Sequence, residues 1–378
     1  MELTTRNSNI DILRTIAVLL VMGRHSSLLI SYHEYGPWVR MVSSFLRDFG
    51  WVGVDLFFVL SGFLVSSLLF RDPDNLQVGR FLMRRGFKIY PSFYLLIGAT
   101  LVWDLFSSNT IDPSSYLAEI FFVQNFFPHV WPHTWSLAVE EHFYLLLPIL
   151  LLYLRRRDTN NSAPFALLPR VVFAVCAFSL IGRVAVAAAS NFQLVTVNVD
   201  FTGTHLRLDA LIFGALLSYY TKFAPEKLRA IRDHKKEACL MSMLLLAPTI
   251  IWGSTEGIFL PTIGVTMLYF AFGLILLLAI GSKRMTNFAE GFLGSGIAYL
   301  GRHSYSIYLW HFPVYLATKA LFSRLYSSSD PTLSETLAYF AASLIFGVLM
   351  AKLVEFPALK LRDKLFQDRK QTVIEAVA

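Results

Sequence analysis

Ile10-Asp11-Ile-Leu-Arg14-Thr-Ile-Ala-Val-Leu-Leu-Val-Met-Gly-Arg24-His25-Ser-Ser-Leu-Leu-Ile-Ser-Tyr32 is an apolar run interrupted by a few ionisable residues. Its length suits a bilayer crossing, which needs about 20 mostly apolar residues. Arg14 and His25 stand eleven positions apart. At about 100° per residue, that spacing returns a helix to within about 20° of its starting face. At about 1.5 Å per residue it separates the two groups by roughly 16 Å along the axis. Two side chains that are costly to bury, on one stripe of a membrane helix, point to function.

The remainder of the chain repeats the apolar pattern. Of its 378 residues 55% are hydrophobic and only 16% charged, which excludes an ordinary soluble domain. The apolar stretches predict ten spanning helices, at about 10–31, 51–70, 88–107, 135–154, 165–189, 204–221, 237–253, 258–280, 297–322 and 334–356. The run 116–127 is too short to cross and predicts a lateral or re-entrant helix. The expected fold is therefore all-α, one polytopic transmembrane bundle over residues 1–356 followed by a charged tail at 357–378. No signal-peptide cleavage pattern follows the first run, so it is expected to be retained.

Loop charge orients the bundle. Segments 71–88, 155–170, 222–236, 281–290 and the tail after Phe356 hold 22 Lys and Arg. The alternate segments 32–50, 108–134, 190–203, 254–257 and 323–333 hold three, Arg40, Arg47 and Arg324. The positive-inside rule then places both termini in the cytoplasm. The net charge of +7 belongs to these loops, so no nucleic-acid partner is expected; the partner is the lipid bilayer.

Depth then sorts the polar residues. The outer half holds His25, Asp55, Glu140-Glu141-His142, Arg207 and Asp209, with His311 near the middle or outer half. The inner side holds Asp11, Arg14, Arg84-Arg85-Gly-Phe-Lys88 and Arg302-His303. Imidazoles and carboxylates are the parts needed for proton abstraction. Guanidinium and ammonium groups are the parts that hold phosphates. A phosphorylated donor on the cytoplasmic side and an outward-facing acceptor fit this division.

Each group also has a structural reading. Asp11 and Arg14 are i, i+3 neighbours that can neutralise each other. The basic cluster at 84–88 also serves as a topology signal. Gly53, Ser61 and Gly62 permit close helix packing. Tyr305, Tyr308 and His311 share a face with Pro313 nearby, which suits aromatic packing and a kink. Cys176 and Cys239 form no redox or metal motif. No His, Cys and Asp cluster has ligand spacing, so no metal is expected. No nucleophile elbow, phosphate loop or dinucleotide fingerprint is present.

Five segments, in order, resemble the acyltransferase-3 family of integral membrane acyltransferases. They are Arg14 to His25 for its Arg-x10-His signature, Gly53-Val-Asp55-Leu-Phe-Phe-Val-Leu-Ser61-Gly62-Phe63, Trp135-Ser136-Leu-Ala-Val-Glu140-Glu-His-Phe-Tyr144, Arg207-Leu-Asp209-Ala-Leu211, and Ser304-Tyr305-Ser-Ile-Tyr308-Leu-Trp-His311-Phe-Pro313. The chain departs from the family at Ile12, where Gly is common, and at Lys88, where Arg is common. Lys lacks the bidentate fork. Some members carry an extra extracytoplasmic hydrolase-like domain, for which no stretch here is a candidate.

The resemblance implies transfer of an acyl group, usually acetyl, from cytoplasmic acyl-CoA to a hydroxyl of a sugar, polysaccharide or glycolipid of the cell envelope, in a bacterial inner membrane. On it, His25 is expected to act as general base or acyl relay, oriented by Asp55 or Glu140. Arg14, Arg84, Arg85 and Lys88 are expected to hold the donor's phosphates or the thioester oxyanion. Arg207, Asp209, Tyr305 and His311 are expected to meet the acceptor. The alternative is a secondary transporter or flippase, which midplane charges and Pro- or Gly-interrupted spans also suit, although no inverted repeat is visible.

Overall fold

A computed structural model describes residues 7–26, 36–107, 110–157, 164–189, 201–251, 259–325 and 332–366. Among them no strand occurs. The end of the first predicted span and the tail beyond residue 366 lie outside the described residues. In chain order the helices begin with α1 (Ser8–Ser26), α2 (Pro37–Phe49), α3 (Gly53–Leu69), α4 (Val78–Phe106) and α5 (Pro113–Ile120). Next come α6 (Trp135–Arg157), α7 (Leu168–Ala189), α8 (Thr204–Phe223), α9 (Arg229–Asp233), α10 (Lys235–Ile251) and α11 (Val265–Ile280). The last are α12 (Lys283–Glu290), α13 (Phe292–Arg302), α14 (Ser304–Leu325), α15 (Leu333–Met350) and α16 (Phe356–Leu365).

Among the described residues, six stretches are long and apolar enough to cross a membrane: Pro37–Leu69, Val78–Phe106, Trp135–Arg157, Leu168–Ala189, Leu260–Ile280 and Leu333–Leu365. The count of ten is therefore not established. The other four predicted spans coincide with α1, α8, α10 and α14. Of these, α1 carries Asp11, Arg14 and Arg24, and α10 is only 17 residues long.

Several predicted boundaries change. The predicted span 297–322 is two helices, α13 and α14, interrupted at His303. Helix α4 begins ahead of Arg84, so the basic cluster lies on the helix rather than before it. The helix expected near 116–127 is α5, Pro113–Ile120. Asp112 caps it, accepting from the amides of Ser114 at 3.1 Å and Ser115 at 3.2 Å. Those bonds, with the two serine hydroxyls, hold the Asp112 carboxyl below the usual range. The left-handed Phe122, φ 56°, turns the chain away just past its end. Helix α2 fills a segment read as loop; Trp38, Met41 and Val42 stand exposed on it.

The centre is the crossing of α3 and α8. A Cβ at Gly62 would lie 1.9 Å from the Leu211 carbonyl oxygen, and one at Gly214 2.3 Å from that of Val59. Only glycine fits both places, the close contact that small residues give membrane helices. Buried ion pairs brace the crossing. Arg207 of α8 donates to Asp55 of α3 at 2.8 Å, and Arg183 of α7 meets Asp209 of α8 at 2.7 Å. All four side chains are at most 2% exposed, so each charge depends on its partner.

Beyond α5 the chain folds onto Glu119. One carboxylate oxygen of Glu119 accepts from the Val130 and Trp131 amides at 3.2 and 3.1 Å and from the Thr134 hydroxyl at 2.9 Å. Gln124 donates to the Thr134 carbonyl at 3.0 Å. This cap carries His133 to the entrance of α6.

Two tests follow from these contacts. Asp209→Ala leaves Arg183 charged and buried, which costs about 3–5 kcal/mol. Its melting temperature in detergent should drop sharply, and the Arg183→Met, Asp209→Leu double variant should recover it; an unchanged melt in the single variant would contradict the pairing. Burial pushes the Glu119 carboxyl up to about 7, and its second oxygen has no partner. A raised carboxyl favours the protonated fold, so this stability is full below the usual carboxylate range and is lost as pH rises through about 7. Amide exchange over residues 121–134, corrected for intrinsic rates, should accelerate between pH 5 and pH 8 in the native chain and not in Glu119→Gln. Identical pH profiles would refute this.

Candidate functional site

The fold turns two members of the basic cluster inward. Arg85 and Lys88 are i, i+3 on α4 and share a face; both line a cavity of about 130 Å³. Arg84 is rotated away. Its side chain is partly exposed and lies 3.7 Å from Asp363 of α16. Arg14 of α1 enters the same cavity, its Nε donating to the Ser304 hydroxyl at 3.1 Å. Across from these cations stands Glu140 of α6. Tyr144, one turn on, donates to Glu140 at 2.6 Å, and its hydroxyl lies 2.7 Å from Ser61 Oγ. The Arg85 guanidinium sits 4.6 Å above the Tyr144 ring.

Lys88 is anchored by a residue the sequence reading passed over. It pairs with Glu355, which also accepts from the Ser306 hydroxyl at 2.8 Å. Glu355 ends a π-helical turn, Ala351–Glu355, that joins α15 to α16 just ahead of Pro357. Such turns redirect side chains and recur at functional sites. A carboxylate at the inner end of the predicted span 334–356 is the signal that would have found it.

The second half of the site is a group of imidazoles. His25 Nδ1 lies 3.0 Å from the Val21 carbonyl. A carbonyl only accepts, so Nδ1 carries the hydrogen. The same Nδ1 lies 3.1 Å from His311 Nε2. His311 Nδ1 donates to the Tyr308 carbonyl, which leaves its Nε2 as a second acceptor for the one His25 Nδ1 hydrogen, shared with the Val21 carbonyl. His25 Nε2 therefore keeps its lone pair, the place from which a base acts. His133 is the third ring. Its Nε2 donates to the Leu309 carbonyl at 3.0 Å, and its centroid is 5.1 Å from that of His311. The sequence reading did not single it out, and nothing local marks a histidine in a connecting segment.

Tyr308 separates the two halves. It lines the cavity, its ring lies 5.6 Å from His311 and 5.7 Å from His133, and its hydroxyl donates to the His133 carbonyl at 2.6 Å. Ser136, also on the cavity wall, lies 2.6 Å from the same hydroxyl. Tyr305 lines the cavity and donates to the Ile89 carbonyl at 2.7 Å.

The structure thus gathers Arg14, Arg85, Lys88, Glu140 and Tyr305 around one cavity and joins His25 to His311. It separates others. Asp55 was expected beside His25 but is committed to Arg207. Glu140 takes its bond from Tyr144 within the cavity. Arg207 and Asp209, expected at the acceptor, are enclosed in ion pairs. His311, expected there too, is wholly buried against His25. Among the described residues no group of His, Cys, Asp and Glu is arranged to hold a metal ion.

Comparison with known proteins agrees with the sequence resemblance. The acyltransferase-3 profile, described as an acyltransferase domain, matches residues 7–352. The peptidoglycan O-acetyltransferase OatA of Listeria monocytogenes is 25% identical over 395 residues, covering 95% of this chain and 58% of that protein. The O-acetyltransferase OatA of Staphylococcus aureus is 26% identical over 320 residues, covering 76% of this chain and 48% of that protein. The chain thus spans about half the length of the curated relatives it matches. No solved structure matches it significantly. From a profile match along almost its whole length, the chain belongs to the acyltransferase-3 family.

Proposed function

We propose that the chain is a membrane O-acyltransferase that moves an acyl group, acetyl in the simplest case, from cytoplasmic acyl-CoA to a hydroxyl of a cell-wall saccharide across the membrane. The observation that carries this reading is a cation-lined cavity and a histidine pair on opposite sides of one side chain, Tyr308. The names of the relatives, O-acetyltransferases one of which is called a peptidoglycan enzyme, support the same substrate class. In this reading α1, α8, α10 and α14 complete ten crossings, both termini are cytoplasmic, and the membrane is a bacterial inner membrane.

A cavity of about 130 Å³ suits the thioester end of a pantetheine arm and not a nucleotide. The nucleotide stays at the cytoplasmic mouth, where Arg84 is partly exposed on α4. Arg85 and Lys88 meet the phosphates nearest the cavity, and Glu355 keeps the Lys88 ammonium in place. Arg14, fixed by Ser304, faces the thioester carbonyl and stabilises negative charge as it develops there.

The acceptor hydroxyl approaches from the outer side and gives its proton to His25 Nε2. Its oxygen bonds to the acyl carbon, the carbon–sulfur bond breaks, and the proton passes on to the departing thiolate. His311 accepts from His25 Nδ1. It holds the ring in the right tautomer and stabilises the transient imidazolium, the task an orienting carboxylate performs in other nucleophile-activating sites.

Membranes carrying the protein should release free thiol from acetyl-CoA and label envelope glycan, whereas a transporter would move label without cleaving the thioester. General-base loss typically costs about 10²–10⁴-fold, so His25→Ala should lower kcat by that order while leaving the melting temperature and the KM for acetyl-CoA nearly unchanged. His311→Leu should fall about tenfold or more and His311→Gln, which retains an acceptor, should recover part of that loss. Wild-type turnover in folded His25→Ala would end the assignment. Charge-assisted contacts are worth about 1.5–3 kcal/mol. Lys88→Met should therefore raise the KM for acetyl-CoA at least about tenfold, and an unchanged KM would move the phosphates elsewhere.

A further inference from the structure

Two cavities outside the site above meet at a shared wall. The first, about 470 Å³, is a slot between α6 and α7, two of the helices apolar enough to cross the membrane. Its sides are Leu145 and Leu146 on α6 and Val175 and Phe178 on α7. Leu146 and Phe178 are 51% and 62% exposed, so the slot opens sideways where acyl chains would pack. The second, about 430 Å³, is a vestibule under the segment 124–135 and the turn that starts α8. Loop charge assigns this segment to the outer face.

The two share Phe126 and His205, whose rings lie parallel, 4° apart with centroids at 6.0 Å. Gly203 makes this stack possible. A Cβ there would lie 2.9 Å from the His205 ring and 3.2 Å from the Phe126 ring. Around the stack the vestibule changes character, gaining the His129 imidazole and the amides of Gln124 and Asn125, whose nitrogens are held by Thr134, Thr202 and Thr204 and whose side-chain oxygens have no partner among the described residues. An exposed aromatic platform bordered by hydrogen-bonding groups matches a sugar ring, which has apolar C–H faces and polar edges. The far wall is Trp135, which packs edge-on at 6.0 Å against Phe58 of the donor cavity. The Arg207 guanidinium lies 5.5 Å from the Trp135 ring, so the Asp55–Arg207 pair also holds this partition.

We propose that slot and vestibule together bind the acceptor as a saccharide still attached to a membrane lipid, with the lipid chain between α6 and α7 and the sugar on the Phe126–His205 stack. This rests on the acyltransferase reading and names its acceptor class. An apolar slot facing the bilayer and an aromatic-floored chamber that share Phe126 and His205 fit the two ends of an amphiphile. A free polysaccharide would leave the slot without an occupant. The sugar then lies two packed side chains, Trp135 and Phe58, from the cavity that takes the thioester.

Capture in nanodiscs tests this without any donor. The full chain carries p-benzoylphenylalanine in place of Leu146, of Phe127, or of Leu349, an exposed residue of α15 that serves as control. Each is irradiated with a radiolabelled undecaprenyl-linked disaccharide or with a soluble N-acetylglucosamine tetramer. The lipid-linked probe should label the Leu146 and Phe127 positions well above the control. Phe126→Ala should weaken that capture by roughly threefold to tenfold, the loss of one ring contact, and Gly203→Val should act in the same direction. Equal labelling at Leu146 and Leu349 overturns the proposal, as does labelling of Phe127 by the soluble tetramer alone. Acyl transfer to the same lipid-linked probe is measured in parallel. Capture without thioester cleavage counts against the acyltransferase reading, whereas cleavage and transfer without capture at Leu146 counts against the cleft.

Discussion

A charge enclosed among membrane helices must be answered by an opposite charge, and that requirement organises this protein. Asp55 with Arg207, Asp209 with Arg183, and Lys88 with Glu355 are buried answers of this kind among the described residues. The first two lock α3, α7 and α8 around a crossing that admits only glycine at Gly62 and Gly214. The third joins α4 to the π turn between α15 and α16. Once these pairs are closed, Arg14, Arg85 and Glu140 remain turned toward a cavity. Behind Tyr308 lie the histidines, and neutral imidazoles can be buried at lower cost than ions. Structural electrostatics and chemistry are therefore divided between different residues of the same family motifs.

That division explains what was legible in the sequence. The Arg14–His25 spacing could be read because helical periodicity is a local property. All-helical, membrane-embedded character followed from composition alone. Partnerships did not follow, because they join residues far apart in the chain. Asp55 and Arg207 are 152 positions apart, Lys88 and Glu355 267, and His25 and His311 286. Asp55 and Glu140 were both candidate partners for His25 on sequence, and the fold supplies a histidine instead. Boundaries failed for local reasons. The interruption at His303 and the amphipathic α2 fall where apolar runs are continuous or absent, so hydropathy does not see them.

The two faces of the site give the membrane a mechanical part in the proposed reaction. A thioester arm entering from the cation-lined side and a hydroxyl arriving from the outer side meet without either substrate crossing the bilayer whole. Tyr308, which touches both the cavity and the histidines, and Trp135, which backs onto Phe58 of the cavity from the vestibule, are then the side chains on which this depends. Both are fixed by contacts that come from other helices, Tyr308 by Ser136 and the His133 carbonyl and Trp135 by Arg207. The relatives are about twice as long as the matched region, so the membrane unit is the part that the two share.

The central claim is that His25 and His311 act as one unit. A double-mutant cycle on kcat for acyl transfer measures this directly. If His311 works only through His25, then His25→Ala combined with His311→Leu should be no slower than His25→Ala alone. If the two losses instead multiply, the histidines act independently and the paired base described here is wrong.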